Sequence, residues 1–541
     1  LVGHGPVEVE TLAYGAGGRQ QLVGVERQER HAGTIISAVT RGEGLHRARL
    51  SAGAWLHRQW PMVVLTIVVW WLAVLHHHRG ISWGDDFSLY LRQARSVIDG
   101  NIGQVIADNR FNVLNAAKPG FSPIAYPWGW PLVLAPFVRL WGLDYERLKL
   151  LEVACMCGFL WVFHALLQRR TSRWVAFGVV AAIGTTTAYL AHTDFLLSEY
   201  PYMLAAAITL WWLDRCRRNG SLDLASRRQL ITLGLLAVAV FNIRREGLAL
   251  IVAIGATQLL DLRGRWREAD LRHASTPYST FIAGVIGFQL LLPSSLAPEY
   301  ADAGLHQTWH KLGAPFRGAF ATQLGLPELR RTWLLLMFLF VIAGLVIRLR
   351  RAPRLDLPLA VFAIGSMVMV GTIPALADRY LIPITPFALY FAAQALSAVP
   401  LPRRSGRWLA AAALAALVVV HAMRLPDPIH SVQQSRGNGA VTDGPEAPYA
   451  KAAFDAVRTH THMDDVVAFF KVRVLTLYTD RRGVQSKDLD IIRQRADYFL
   501  MRRDSTFGQP LVSSTRGAAL GWTVAWQDTE WVLWKLDQPK P

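Results

Sequence analysis

Apolar residues along this chain come in long runs broken by short, charged connections. A hydrocarbon core about 30 Å thick takes roughly 20 helical residues, fewer where the ends snorkel. Eleven stretches qualify: 60–76, 148–168, 174–191, 195–213, 229–243, 247–260, 278–296, 332–347, 357–376, 380–398 and 408–423. The two flanking "FNIRREGLAL" are the shortest. No internal or inverted repeat is visible, and an odd count argues against simple duplication. "YPWGWPLVLAPFVRLWG", Tyr126 to Gly142, carries three prolines and would invert every later connection if it crossed. It is expected to lie along the membrane surface, with Trp128, Trp130 and Trp141 at headgroup depth.

After the last run the period changes. "PYAKAAFDAVRTH" reads as helix, and "DVVAFF", "ADYFLM", "GWTVAWQ" and "EWVLWKL" read as strands. The linker "QQSRGNGAVTDGPEAP" joins them to the last span. The expected fold is an all-α polytopic membrane protein with a small C-terminal α/β domain outside the membrane. Residues 1–54, polar and rich in Gly and Arg, read as a disordered cytoplasmic tail or as sequence upstream of the true start. The membrane region is 55–424, with a first outer loop at 77–147, and the outer domain is 425–541.

Charge assigns the sides. With the N-terminus cytoplasmic, the connections "QRRTSR", "DRCRRNGSLDLASRR", "DLRGRWREADLRH", "RLRRAPR" and "PRRSGR" fall inside and carry 19 Lys and Arg together. The short opposite connections "AHTD", "RRE" and "LADR" carry 0, 2 and 1. That asymmetry is the positive-inside bias. The net charge of +18 is therefore spent on membrane orientation, and no nucleic-acid partner is implied. The composition, 52% hydrophobic with 20 Trp, fits the same class. Three cysteines, Cys155, Cys157 and Cys216, lie in or beside apolar runs and form no disulfide or zinc framework.

Sorting the polar residues by side gathers Asp85, Asp86, Lys118, Asp194, Glu199, Arg244, Arg245, Glu246, Asp378 and Arg379 on the outer face. Ionisable groups at a membrane boundary are costly and usually face a wet cavity or a protein interior. Asp85 and Asp86 open an amphipathic helix, so one can serve as its cap while the other stays free. Adjacent carboxylates also repel, which makes one a better proton acceptor. Asp194 reads as the cap of the fourth span, with Glu199 on its second turn. Arg244, Arg245 and Glu246 form a turn between short helices, and Arg379 can anchor an interface. His76, His77 and His78 read as interfacial residues and not as a metal site. No HExxH, paired-cysteine or Walker pattern occurs, so soluble-nucleotide chemistry has no support.

The acidic pair after the first span, "YPWGWPLVLAP", "DFLLSE", the Arg-Glu-Gly turn and "RYLIPITPF" together resemble bacterial GT-C glycosyltransferases. The nearest likeness is to the polyprenyl-phosphate-sugar-dependent group, which includes protein O-mannosyltransferases and lipid A aminoarabinose transferases. It covers roughly 55 to 400. The terminal "AFFKVRVLTLYTDRRG…ADYFLM" is similar to the outer domain that ends many members. The resemblance implies transfer of a sugar from a polyprenyl-phosphate donor to a hydroxyl of a glycan, lipid or protein, at the outer face of the inner membrane. It places the catalytic carboxylate at Asp85 or Asp86, the preference being Asp86 as base with Asp85 in support. Lys118, Arg245 and Arg379 stand where contacts to the lipid phosphate are expected. Tyr126, Trp128 and Tyr380 join the substrate-binding candidates. Ala117 replaces the Glu that aminoarabinose transferases carry before the loop Lys-Pro, so that metal contact and that substrate are in doubt. No cofactor is required, although two carboxylates can hold a divalent cation. Two alternatives remain. One is a ligase or polymerase using diphosphate-linked glycans, with His306, His310, Lys311 and Arg317 in a late loop; the other is a transporter or a non-catalytic membrane scaffold.

Overall fold

The computed structural model describes residues 59–116, 122–263, 270–296, 314–328, 331–371, 377–400 and 405–537. Lys118, His306, His310 and Lys311 lie outside them, as does all of the expected N-terminal tail. The described residues from Leu65 onward form one compact unit.

A helix stands at each of the eleven apolar runs: Gln59–Leu75, Tyr145–Gln168, Arg173–Gly184 continued by Thr187–His192, Glu199–Cys216, Arg227–Ile243, Leu248–Asp261, Thr276–Leu291, Arg331–Arg351, Pro353–Gly371, Thr385–Ser397 and Ser405–Arg424. Among the described residues four helices are long and apolar enough to cross a membrane: Tyr145–Gln168, Arg331–Arg351, Pro353–Gly371 and Gly406–Gly437. The third run is broken at Thr185–Thr186. Their hydroxyls bond back to the carbonyls of Ala181 (2.9 Å) and Ala182 (2.7 Å). Back-bonding of this kind competes with the helical ladder and bends it.

Two charged layers mark opposite ends of the bundle. At one end Arg170 grips Asp214 in a bidentate pair of 2.6 and 2.8 Å, and Arg348 pairs with Asp356 at 2.6 Å. Arg217 holds Asp261 in the same way. Several of the arginines counted toward the expected inside charge bias are thus neutralised within the protein. At the other end stand Glu199 and the acids of the first loop. The helix Glu199–Cys216 carries Glu199 at its start and Asp214 near its end, roughly 22 Å apart at 1.5 Å per residue.

The expected surface helix forms as Gly129–Trp141, but of the three tryptophans only Trp141 is half-exposed and the other two are interior. Trp128 and Trp130 are fully buried, and Trp128 Nε1 donates to the carbonyl of Pro293 at 2.9 Å. The helix packs between the Asp85–Asp99 helix and Arg227–Ile243. Gly129 permits the close approach, because a Cβ there would stand 2.6 Å from the Asn242 carbonyl oxygen. His76 and His77 are likewise interior. His76 Nδ1 bonds the Leu72 carbonyl (2.8 Å) and His77 Nε2 bonds Thr193 Oγ1 (3.0 Å).

The C-terminal segment builds a five-stranded sheet in the order β2-β1-β3-β5-β4. The strands are β1 Val466–Ala468, β2 Arg482–Val484, β3 Tyr498–Arg502, β4 Thr523–Gln527 and β5 Trp531–Lys535. β1 is parallel to β2 and β3, while β5 is antiparallel to β3 and β4. All four expected strands and the helix Pro448–His460 are present; β2, only three residues long, escaped the pattern. Phe499, Met501, Val532 and Trp534 fill one face with Ile492 and Trp522. The expected linker is packed against the first loop. Thr442 donates to the Arg79 carbonyl, and Gly444 lies so close to Ile81 that any Cβ would collide with its carbonyl.

Candidate active site

The helix Asp85–Asp99 begins with both acids, and its N-cap is Gly84, which has no side chain. Neither acid caps; both sit in the first turn, where the helix dipole favours negative charge. Their side chains part from there. Asp85 Oδ2 pairs with Lys471 Nζ at 2.9 Å. Asp86 Oδ1 accepts from the Tyr126 hydroxyl at 2.5 Å, and its Oδ2 faces the Arg379 guanidinium.

Arg379 lies in the short turn Asp378–Leu381, ahead of the helix Thr385–Ser397. Its Nε stands 3.8 Å from Glu199 Oε1. Arg244 Nη1 reaches the same oxygen at 2.9 Å, while its Nη2 holds Glu246 at 2.8 Å. Glu199, the first residue of its helix and 2% exposed at the side chain, is therefore the shared counter-ion of two arginines drawn from different turns. Both guanidinium groups flank the Tyr380 ring, at 5.6 and 5.3 Å from its centroid.

Tyr126 is held from both sides. Gln93 exchanges two hydrogen bonds with its backbone, and the Tyr90 ring packs at 4.8 Å. Arg473 Nη1 donates to its hydroxyl at 3.2 Å. Arg473 and Lys471 come from the start of the helix Val472–Thr479, which connects β1 to β2 and packs on the Asp85–Asp99 helix. Neither was among the expected site residues. The signal was the pair of cations set two apart inside the apolar run "FFKVRV", where a solvated cation has no place.

The charges shape proton affinities. Burial pushes the Asp86 carboxyl up, but the Arg379 charge, the Tyr126 hydrogen bond and Arg473 outweigh it and hold Asp86 below the usual carboxylate range. Burial and the Asp86 charge keep the Tyr126 hydroxyl far above its ordinary value, so it remains a donor. Burial opposes the charge on Arg379, yet Asp86 and Glu199 raise it above the ordinary arginine value.

Other expected members lie elsewhere. Asp194 sits ahead of the Glu199 helix and does not cap it. It pairs with buried Lys149 (2.7 Å) and with His78 Nδ1 (2.9 Å), bracing the residues that leave the first span. Arg245 turns away from the cluster to the carbonyls of Phe241 and Ser295 and to Ser294 Oγ. Burial pulls its guanidinium down to about 10. Asp378 is exposed, and its backbone carbonyl accepts from Gln323. Trp128, buried, supports the helix that follows Tyr126. Among the described residues no three His, Cys, Asp or Glu side chains gather to hold a metal ion. Asp85 and Asp86 face separate protein cations, Lys471 and Arg379.

Comparison with solved structures places the architecture. ArnT from Cupriavidus metallidurans bound to undecaprenyl phosphate superposes at TM-score 0.52 with 14% identity, over 87% of this chain and 97% of that one. Its apo form gives 0.52 and 13% over 90% and 98%. The arabinofuranosyltransferase AftD from mycobacteria gives 0.52 and 14%, over 89% of this chain and 42% of that one. These are GT-C glycosyltransferases. This chain has the GT-C fold. No protein-family model matches the sequence, and no curated protein does.

Proposed function

We propose that this chain is an integral membrane glycosyltransferase that moves a sugar from a polyprenyl-phosphate donor to an acceptor hydroxyl of a glycan, lipid or protein. The observation that carries the reading is the cluster at one bundle end: one carboxylate, Asp86, paired with Arg379, which shares the buried counter-ion Glu199 with Arg244. In this reading all eleven apolar helices cross the inner membrane with the N-terminal side in the cytoplasm. The cluster and the sheet-bearing segment 425–541 lie at the outer face. A donor activated on a lipid phosphate suits that side, because nucleotide sugars stay in the cytoplasm. The likeness to a protein that binds undecaprenyl phosphate supports this donor class.

The chemistry follows from the charges. An incoming phosphate competes for Arg379 and Arg244, and Arg379 releases Asp86 Oδ2. That oxygen takes the proton of the acceptor hydroxyl as the hydroxyl oxygen attacks the anomeric carbon. The bond from the anomeric carbon to the phosphate oxygen breaks, and the polyprenyl phosphate leaves carrying the electron pair. A single displacement inverts the anomeric centre. Arg244 and Arg379, charged and largely withdrawn from water, stabilise the negative charge growing on the phosphate, and such donors are commonly worth a hundredfold or more in rate. Asp85, neutralised by Lys471, supports the acceptor side.

The test uses purified protein in proteoliposomes supplied with undecaprenyl-phosphate-linked sugars, each tried in turn with envelope extract as acceptor. Release of undecaprenyl phosphate is measured. Asp86→Asn is expected to lose about a hundredfold or more of the transfer rate, with Asp85→Asn less affected. Full activity in Asp86→Asn would overturn the base assignment.

A further inference from the structure

The sheet-bearing segment reaches into the cluster through Arg473, and its geometry is more constrained than a supporting contact requires. The side chain is 2% exposed, and each of its three guanidinium nitrogens has a partner. Nε donates to Asn109 Oδ1 (3.0 Å), Nη2 to the Pro123 carbonyl (2.8 Å) and Nη1 to the Tyr126 hydroxyl (3.2 Å). Its charged plane also lies over the Tyr126 ring, 5.2 Å from the centroid. Arginine has donors only. The Tyr126 oxygen must therefore accept from Arg473, and its single proton is left for Asp86 Oδ1 at 2.5 Å.

We infer that Arg473 is a positioning residue: it commits the Tyr126 proton to Asp86 Oδ1 and so makes Oδ2, the oxygen facing Arg379, the one that takes up a proton. This rests on the reading of Asp86 as the base. The chain from Arg473 through Tyr126 to Asp86 has one polarity, and reversing it would need a donor where Asp86 has none. Without Arg473 the Tyr126 hydroxyl is free to rotate toward other acceptors, and either Asp86 oxygen becomes protonatable. The C-terminal segment would then govern the reacting carboxylate without touching a substrate. The groups around Asp86 are Arg379 and Tyr380 from the turn before Thr385–Ser397, Glu199 behind Arg379, Tyr90 and Asp85 from its own helix, Tyr126 from the loop, and Lys471 and Arg473 from the sheet segment.

The experiment is an infrared titration of the purified full-length protein in detergent, which needs no substrate. The carbonyl band of protonated Asp86 is assigned by its loss in Asp86→Asn. In Arg473→Met that band is expected to appear at a pH higher by roughly half a unit or more, since a cation has left the carboxylate's surroundings. Arg473→Lys, which keeps the charge and one donor, is expected to shift it less. In a Tyr126→Phe background the effect of Arg473→Met should shrink to that of the lost charge alone, because the path through the hydroxyl is already cut. An unchanged band in Arg473→Met, or an equal shift with and without Tyr126, overturns the inference. Where Arg473→Met fails to fold, Arg473→Gln, which loses the charge and whose amide can accept as well as donate, carries the same comparison, and a band at the parent position overturns the inference. Transfer by Asp86→Asn at the parental rate would instead defeat the base reading and leave the titration result standing.

Discussion

Replacing Glu199 by Gln removes one negative charge from between two arginines and keeps the side-chain shape, so no cavity opens. Glu199 is 2% exposed and Arg244 12%, with 2.9 Å between their charged atoms. Breaking a buried pair of this kind costs about 3–5 kcal/mol, because a desolvated charge loses its partner. Two contacts reduce the loss here. Arg244 keeps Glu246 at 2.8 Å and the Ser198 hydroxyl at 3.3 Å, and Arg379 keeps Asp86. The lower end, about 3 kcal/mol, is the expected cost. At about 2 °C per kcal/mol for a large chain, unfolding should move down by about 6 °C. The 20 tryptophans make intrinsic fluorescence during heating in detergent a direct readout. Glu328→Gln is the control. Its carboxylate is 85% exposed and 3.6 Å from Arg424, so no measurable change is expected. A Glu199→Gln melt within about 1 °C of the parent would place the pair among solvent-screened contacts and refute the shared counter-ion.

Arg379→Lys should lower the transfer rate by roughly tenfold to a hundredfold, since a point charge cannot face Asp86 and Glu199 as a planar fork does; a rate equal to the parent in the proteoliposome assay would contradict this. Asp214→Asn leaves the fully buried Arg170 with Asp356 at 3.7 Å and the carbonyls of Leu166 and Leu355, so the cost in a thermal melt should lie near the lower end, about 3 kcal/mol. It should leave the rate per folded molecule unchanged, because the pair stands at the opposite end of the bundle. Burial depresses His77 from 6.5 to about 4, so the folded state binds fewer protons than the unfolded chain between those values. Its contribution is present above about pH 6.5 and falls as pH drops toward 4, by up to about 3 kcal/mol. Melts from pH 7 to 5 should therefore fall less steeply in His77→Gln than in the parent, and identical slopes would exclude the effect.

Much of this architecture is local in origin. Apolar runs of near-membrane length specify helices wherever they occur, because every backbone polar group in hydrocarbon must be satisfied within its own segment. Short runs rich in β-branched and aromatic residues specify β1, β3, β4 and β5 for a comparable reason: such side chains must meet a core, and β3 and β5 are buried along nearly their whole length. The charges at helix ends were legible too, since Asp86, Glu199, Arg244 and Arg379 are expensive beside apolar helices and demand partners.

Which charge meets which was not legible, because partners nearly 300 residues apart are chosen by packing. Arg244 and Arg245 are adjacent in sequence, yet one joins Glu199 and the other turns to the carbonyls of Phe241 and Ser295. Asp85 and Asp86 are adjacent too, and the helical turn of about 100° between neighbours sends them to Lys471 and Arg379. Asp194 looked like a member of the cluster and became a brace for Lys149. Trp128 looked like a membrane-surface residue and became core, because Gly129 lets its helix close against Asn242. The sequence by itself determined the elements and the cost of leaving each charge alone. Tertiary packing decided the pairings, and with them the one carboxylate, Asp86, that stands between a tyrosine and an arginine.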